Sequence, residues 1–170
     1  MLPADLINIM LDNMSMLIKE TGNTLYMTLV STFFAYMLAL PLGVVLVVTR
    51  EDGLYPLKSL YRLLDVIVNI GRSVPFLILL VAIQPLTVLI AGKSYGSTAT
   101  IVPLVVAATP FIARLIESSL QEVDHGVIEA AESMGASLPT IIFKVLIPEA
   151  KTSLMVGCTI AIGTIVSYSA

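Results

Sequence analysis

Four long stretches of the chain carry no charged side chain: 21–49, 73–92, 94–113 and 152–170, with 29, 20, 20 and 19 residues. An α-helix rises 1.5 Å per residue, so about 20 apolar residues cross the ~30 Å hydrocarbon core of a bilayer. Each stretch is long enough for one crossing. The predicted fold class is all-α, a polytopic transmembrane helical bundle with four spans in one domain covering 1–170. A soluble helical protein would need a polar face on these segments, and none shows one. The spans are placed at about 25–48, 74–91, 98–116 and from 152 onward.

Residues 1–20 have a different pattern. Leu2, Leu6, Ile9, Met10, Met14, Leu17 and Ile18 recur at helical spacing, with Asp5, Asp12 and Glu20 elsewhere. This predicts an amphipathic helix at the membrane surface or against a neighbouring subunit. No basic region precedes an apolar core there, so the segment does not read as a cleaved signal peptide. Between the first two spans, Arg50, Glu51, Asp52, Lys58 and Arg62 mark a short loop, followed by a re-entry helix with Asp65 and Arg72. Pro41-Leu42-Gly43 predicts a kink or close-packing point. Ala39/Gly43 and Gly157/Ala161 are small pairs four residues apart, a spacing suited to close helix contact.

The most structured polar stretch is 129–149, EAAESMGASLPTIIFKVLIPE. Gly126 breaks the chain before it. Val127–Met134 contains good helix formers, and Gly135 stands where a C-cap accepts positive φ. Ser137-Leu138-Pro139 resembles a fresh N-cap with proline in the first turn, and Pro148 marks the next break. The expected arrangement is a short helix, a bend, a second helix and a break. Helices this short are marginal alone in water and need a partner surface.

Within that stretch Glu129-Ala130-Ala131, three residues, Gly135, nine residues, then Val145, one residue, and Ile147-Pro148 resemble the EAA signature of ABC importer permease subunits. Val145 and Ile147 stand in for the usual Ile and Leu. The runs GRSVPF at 71–76, ATPFIAR at 108–114 and EVDHGVIE at 122–129 look like the methionine-importer branch. The resemblance covers nearly the whole chain. It implies a type I importer permease fold whose region 117–151 is a cytoplasmic coupling region. Glu129, Ala130, Ala131, Gly135 and Pro148 would meet a groove of an ATPase subunit. The alanines would fill the groove, Gly135 would permit the bend and Glu129 would offer a charged hydrogen bond. It also implies a second permease copy, an external substrate-binding protein, and ATP and Mg used by the ATPase rather than by this chain. Family permeases usually continue past 167–170 through a Gly-rich loop and a fifth span.

Lysine and arginine counts orient the chain independently of the motif. Lys19 and Lys93 fall on one side; Arg50, Lys58, Arg62, Arg72, Arg114, Lys144 and Lys151 fall on the other. The basic-rich side is expected to be cytoplasmic, with 117–151 inside, the N-terminus outside and the chain in a bacterial cytoplasmic membrane. Composition narrows the function further. With 57% hydrophobic residues, 12% charged residues and a net charge of −3, the chain has no basic run for nucleic acid. The one cysteine, Cys158, lies in an apolar span and excludes an internal disulfide. The eight methionines have no regular spacing and read as packing residues.

Several motifs resemble functional sites without completing one. Gly92-Lys93-Ser94 ends like a phosphate-binding loop, but position 87 is Thr87 where that motif needs glycine. His125 lacks partners at metal or catalytic spacing. Glu117, Glu122, Asp124, Glu129, Glu132 and Glu149 read as a solvated docking face rather than an acid–base pair. Asn13-Met14-Ser15 is an incidental sequon in a chain resembling bacterial permeases. No catalytic, cofactor or metal site is expected. Arg114 and Glu117 are spaced to pair on one helical face, whereas Asp65 and Arg72 share a face without needing to touch. Pro75, Gln84, Pro85, Pro103 and Pro110 interrupt apolar spans and are candidates for lining a translocation path, with kinks for packing as the plainer reading. The same coupling motif suits permeases for a phosphonate, an osmolyte or a sulfonate. An ion-coupled secondary transporter would predict acidic residues within the spans, and the four have none. A scaffold without transport would leave the EAA spacing without a role.

Overall fold

The structure is a computed structural model that describes the backbone of residues 3–169 and the side chains of residues 11 and 13–169. Its longest element is one continuous helix, α1, Pro3–Thr49. The segment expected to be an amphipathic helix over 1–20 and the span expected at 25–48 are thus joined without a break. The only glycine at the junction, Gly22, meets nothing within 4 Å of where a Cβ would stand, and an isolated glycine is tolerated in a helix. At 47 residues α1 is roughly 70 Å long, well beyond the apolar core of a bilayer. The proposed amphipathic positions Leu2, Leu6, Ile9 and Met10 lie outside the described side chains. Pro41 is accommodated within the helix rather than ending it.

After α1 come α2, Lys58–Ser73, α3, Phe76–Ala82, and α4, Gln84–Ala91. The expected span at 74–91 is thus two short helices. Pro75 caps α3 with φ −58° and ψ 136°, and α2 and α3 meet at 102°. Pro85 has no N–H to donate back into α3, so the ladder lapses at Ile83 and resumes with Thr87 N–H to Ile83 O at 2.9 Å. The remaining long helices are α5, Ser97–Gln121, and α9, Lys151–Ser169. Among the described residues three helices are long and apolar enough to cross a membrane, or up to four if the bent α2–α3 pair counts as one span. The expected number of four spans is thus reached only with that pair, which covers 58–82 rather than the expected 74–91 and so brings Asp65 and Arg72 into the second span.

The core is the seam between α1 and α5, the most extensive helix pair in the fold. Ser31, Ala35, Ala39 and Gly43 recur every fourth residue on α1, and the first three are fully buried. Small side chains let the α5 backbone approach, which is how helices associate where lipid removes the hydrophobic drive between them. A Cβ at Gly43 would lie 2.7 Å from Ile116 Cγ2 and 3.0 Å from Ala113 O. Leu104, Ala108, Ile112 and Ile116 line the α5 side, and α9 adds Ala161 and Ile165. Both small pairs singled out from spacing are thereby inside contacts.

A second joint is polar. Tyr61, Asp65 and Asn69 recur every fourth residue of α2 and face Arg114, Glu117 and Gln121 of α5. Arg114 is paired with Asp65 and Glu117 and donates to Asn69 Oδ1 at 3.1 Å. Glu117 accepts from Tyr61 Oη and Gln121 Nε2, each at 3.3 Å. The expected Arg114–Glu117 pair is present. Asp65 partners Arg114 and not Arg72, in keeping with two residues that share a helix face without needing to touch. Glu117 is only 3% exposed, which corrects its place among solvated docking carboxylates.

Three outcomes follow for the complete protein in detergent, read by thermal unfolding. Gly43→Ala overpacks the seam and should cost about 1–3 kcal/mol. Gly163→Ala, where no heavy atom lies within 4 Å, should be neutral or gain up to about 1 kcal/mol. Glu117→Ala removes one of the two carboxylates on Arg114, together with the acceptor of Tyr61 and Gln121, and should destabilise by about 1–3 kcal/mol. An unchanged melting temperature in Glu117→Ala would contradict a structural role for the clasp.

Candidate functional site: the bent helices 124–149

The segment that leaves α5 is built by local chemistry. Asp124 sits in extended conformation, and its Oδ1 accepts from Gly126 N at 2.7 Å, capping α6, His125–Ser133. The break before the motif therefore falls at Asp124, and Gly126 lies inside the first helical turn rather than before it. The far end closes as expected at Gly135, whose φ is +77°. Gly135 N–H bonds Glu132 O at 2.8 Å, and Ala136 N–H bonds Ala131 O at 3.1 Å. These are the two hydrogen bonds of a Schellman motif. Nothing lies within 4 Å of a Cβ at Gly135, so the glycine is needed for its backbone conformation and not for space.

Ser137 then starts α7, Leu138–Ile141, with Pro139 in the first turn. Its hydroxyl pairs with Thr140 Oγ1 at 2.9 Å. The chain next widens into a π-helical turn, Ile142–Leu146, before α8, Ile147–Glu149. Ile147 N–H reaches five residues back to Ile142 O. This places Pro148 differently from expectation. It continues the helical run, and the break falls at Ala150. The π turn has already left the four-back register in which the missing N–H of Pro148 would orphan a carbonyl. The extra residue also keeps Ile141, Leu146 and Ala150 on the inner side, where all three are buried.

The two short helices are held by their inner faces. Ile128 and Ala131 of α6 join Leu120, Val123, Ile141 and Leu146 in the core cluster. Ala131 is only 4% exposed, so of the two motif alanines only Ala130 faces outward, with Glu129. Gly135 and Pro148 are also exposed. Pattern reading missed Met134, 81% exposed, and Phe143, 67% exposed. Both are large apolar side chains left open on this surface, more so than Val127 and Leu138, and their signal was apolar residues at positions the short helices cannot bury.

Beside α6 lies a cleft of about 390 Å³ whose lining includes the polar side chains of Arg50, Asp52, His125, Glu129 and Glu132. The 50–57 loop forms its other wall. Gly53 lets the loop fold back on α1, since a Cβ there would stand 2.3 Å from Val47 O. Tyr55 N–H bonds Val48 O at 2.9 Å, and Leu57 N–H bonds Thr49 O at 3.0 Å. Arg50 pairs with Asp52 at 2.9 Å, and Lys58 pairs with Glu51. Lys58 holds the Glu51 carboxyl below its ordinary value.

The other candidates scatter. Pro103 is buried in the bundle, and Pro110 is half-buried against Gly71, whose Cβ would lie 2.7 Å from Pro110 Cγ. Pro75, Gln84 and Pro85 are exposed at the two breaks around α3. The structure does not gather these five into one lining.

Comparison with known proteins places this architecture. Residues 39–170 match the family described as the binding-protein-dependent transport system inner membrane component. The probable D-methionine transport system permease protein MetI of Vibrio cholerae is 51% identical over 158 residues, 93% of this chain and 70% of that protein. The D-methionine transport system permease protein MetI of Escherichia coli K12 is 48% identical over 157 residues, 92% of this chain and 72% of that protein. Among solved structures, the MetNI methionine ABC transporter in an inward-facing conformation superposes with a TM-score of 0.90 at 48% identity, covering 92% of this chain and 72% of that one. An amino acid ABC transporter at 22% identity and a TM-score of 0.60 shares the fold. The chain belongs to the family of binding-protein-dependent transport system inner membrane components, as an ABC importer permease similar to the methionine permeases.

Proposed function

We propose that this chain is the membrane-spanning permease subunit of an ATP-driven importer for methionine or a closely related amino acid. The observation that carries the coupling half of this reading is the outward face of α6 and its bend. Glu129, Ala130, Met134 and Gly135 are presented to solvent on a short helix whose other face is locked into the core. A helix so held is a rigid element for a groove in a partner. The partner is an ATPase subunit, which binds and hydrolyses ATP with Mg; this chain supplies no catalytic group. Two permease copies enclose the path, and a substrate-binding protein delivers the solute from outside. The substrate class is supported by the 48–51% identity to D-methionine permeases.

The lysine and arginine asymmetry supports an orientation with α6 in the cytoplasm and the start of α1 outside. Closure of the ATPase dimer draws the two α6 helices together, and the spans tilt as rigid rods. Ala131 acts from behind, by fitting α6 closely to Leu146 and Val123. Pro148 holds the exit of the second short helix. The breaks at Pro75 and at Gln84-Pro85 are the points where the path-lining segments bend, with Pro103 and Pro110 shaping α5 behind them.

The direct test is uptake of labelled methionine into proteoliposomes holding the complete permease, its ATPase and its binding protein. ATP-dependent uptake competed by methionine analogues is expected. Hydrolysis that responds to the permease without methionine uptake would keep the coupling and overturn the substrate. Ala130→Trp, which fills the outer face of α6, should cut uptake at least tenfold while leaving the bundle folded. Gly135→Val forces a β-branched residue into positive φ at about 1–2 kcal/mol or more and should uncouple hydrolysis from uptake. Gly135→Asn, which tolerates that conformation, should retain most coupling, and equal loss in both would refute the backbone argument.

A further inference from the structure

At the elbow between α2 and α3 lies a pocket of about 140 Å³ lined by Gly71, Arg72, Val74, Phe76, Phe111 and Tyr168, among others. Three independent features meet there. The first is an uncommitted cation. Arg114 is bound to two carboxylates, whereas Arg72 forms no ion pair among the described residues. The second is a helix C-terminus. The chain turns extended at Val74, with φ −80° and ψ 121°, and Pro75 has no N–H. The last carbonyls of α2 therefore lack helical donors and carry the negative end of its dipole. The third is an aromatic wall. Phe76 and Tyr168 stack at 4.9 Å with planes 7° apart, and Phe111 adds a third ring from α5. The end of α2 is held in place because Gly71 lies against Pro110.

These groups are complementary to an α-amino acid with an apolar side chain. A carboxylate needs fixed donors, and a guanidinium is the side chain that supplies a planar pair of them. An ammonium needs acceptors, and free helix-end carbonyls offer them. A thioether or similar chain gains from aromatic contact. The volume is roughly five times the ~30 Å³ share of a liquid water, enough for a side chain of a few heavy atoms with the zwitterion at the rim. Broken helices whose ends face a solute are a recurrent device for membrane transit.

We propose that the α2–α3 elbow is a transit site for the amino acid, with Arg72 holding its carboxylate, the end of α2 its ammonium, and Phe76, Phe111 and Tyr168 its side chain. This rests on the reading of the chain as an amino-acid permease subunit, which the uptake experiment tests separately. The test is equilibrium binding of labelled methionine to the complete transporter in detergent without binding protein, after subtracting binding to the ATPase alone. Methionine should compete, and methioninamide and N-acetylmethionine should compete at least tenfold more weakly. In Arg72→Gln the preference over the amide should collapse, and in Arg72→Lys it should largely return. Phe111→Leu should weaken methionine severalfold while keeping the carboxylate preference, and it reads the site even where Arg72→Gln does not assemble. Coupled uptake with no permease-dependent binding would overturn the site while leaving the transport reading intact. So would an unchanged amide preference in Arg72→Gln together with unchanged affinity in Phe111→Leu.

Discussion

Where α1 crosses α5, the two backbones come so close at Gly43 that one added methyl would strike Ile116. Lipid solvates apolar side chains as well as protein does, so van der Waals fit, rather than escape from water, holds the helices. The seam of Ser31, Ala35, Ala39 and Gly43 against Ile112 and Ile116 provides that fit. The other elements depend on it. α9 inserts Ala161 and Ile165 into the same cluster, and α2 is oriented by pairing with the α5 turn that carries Arg114 and Glu117.

From this seam the packing runs without interruption to the presented helix. Ile116 and Leu120 lead to Val123, then to Ile128 and Ala131 of α6, and on to Leu146 and Ala150 before α9. Interiors packed this closely transmit displacement instead of absorbing it. The polar clasp adds direction, because Arg114 and Glu117 tie the same end of α5 to α2. A continuous chain of packed and hydrogen-bonded contacts thus runs from α6 through α5 to α2. A push on α6 has a mechanical route to α2.

The cleft beside α6 shows how a surface is made from separate parts of the chain. Arg50 and Asp52 arrive on a loop folded back by Gly53, and Glu129 and Glu132 arrive on α6. Nearly 80 residues separate Arg50 from Glu129. Only the folding of the loop onto the α1 terminus brings the two walls together.

Much of this was legible in the order of residues, for physical reasons that are local. Charge-free runs of about 20 residues dictate crossings because a buried charge is costly in hydrocarbon. Gly135 announces positive φ, and Ser137-Leu138-Pro139 announces a helix start, because each depends on a few neighbouring atoms. The spacing of Arg114 and Glu117 forecast their pair for the same reason. The structure decided the rest, through backbone continuity at two points and elsewhere through neighbours distant in sequence. α1 runs through the junction near residue 20 because nothing local stops it. Pro148 stays in a helix because a π turn absorbs its missing N–H. Glu117 is buried rather than solvated, and Asp65 meets Arg114, because α2 lies across α5. Ala131 turns inward while Ala130 turns outward because Leu120, Val123 and Leu146 form a wall on one side of α6. A motif specifies which residues stand together along the chain, and only packing determines which of their faces are left to meet a partner.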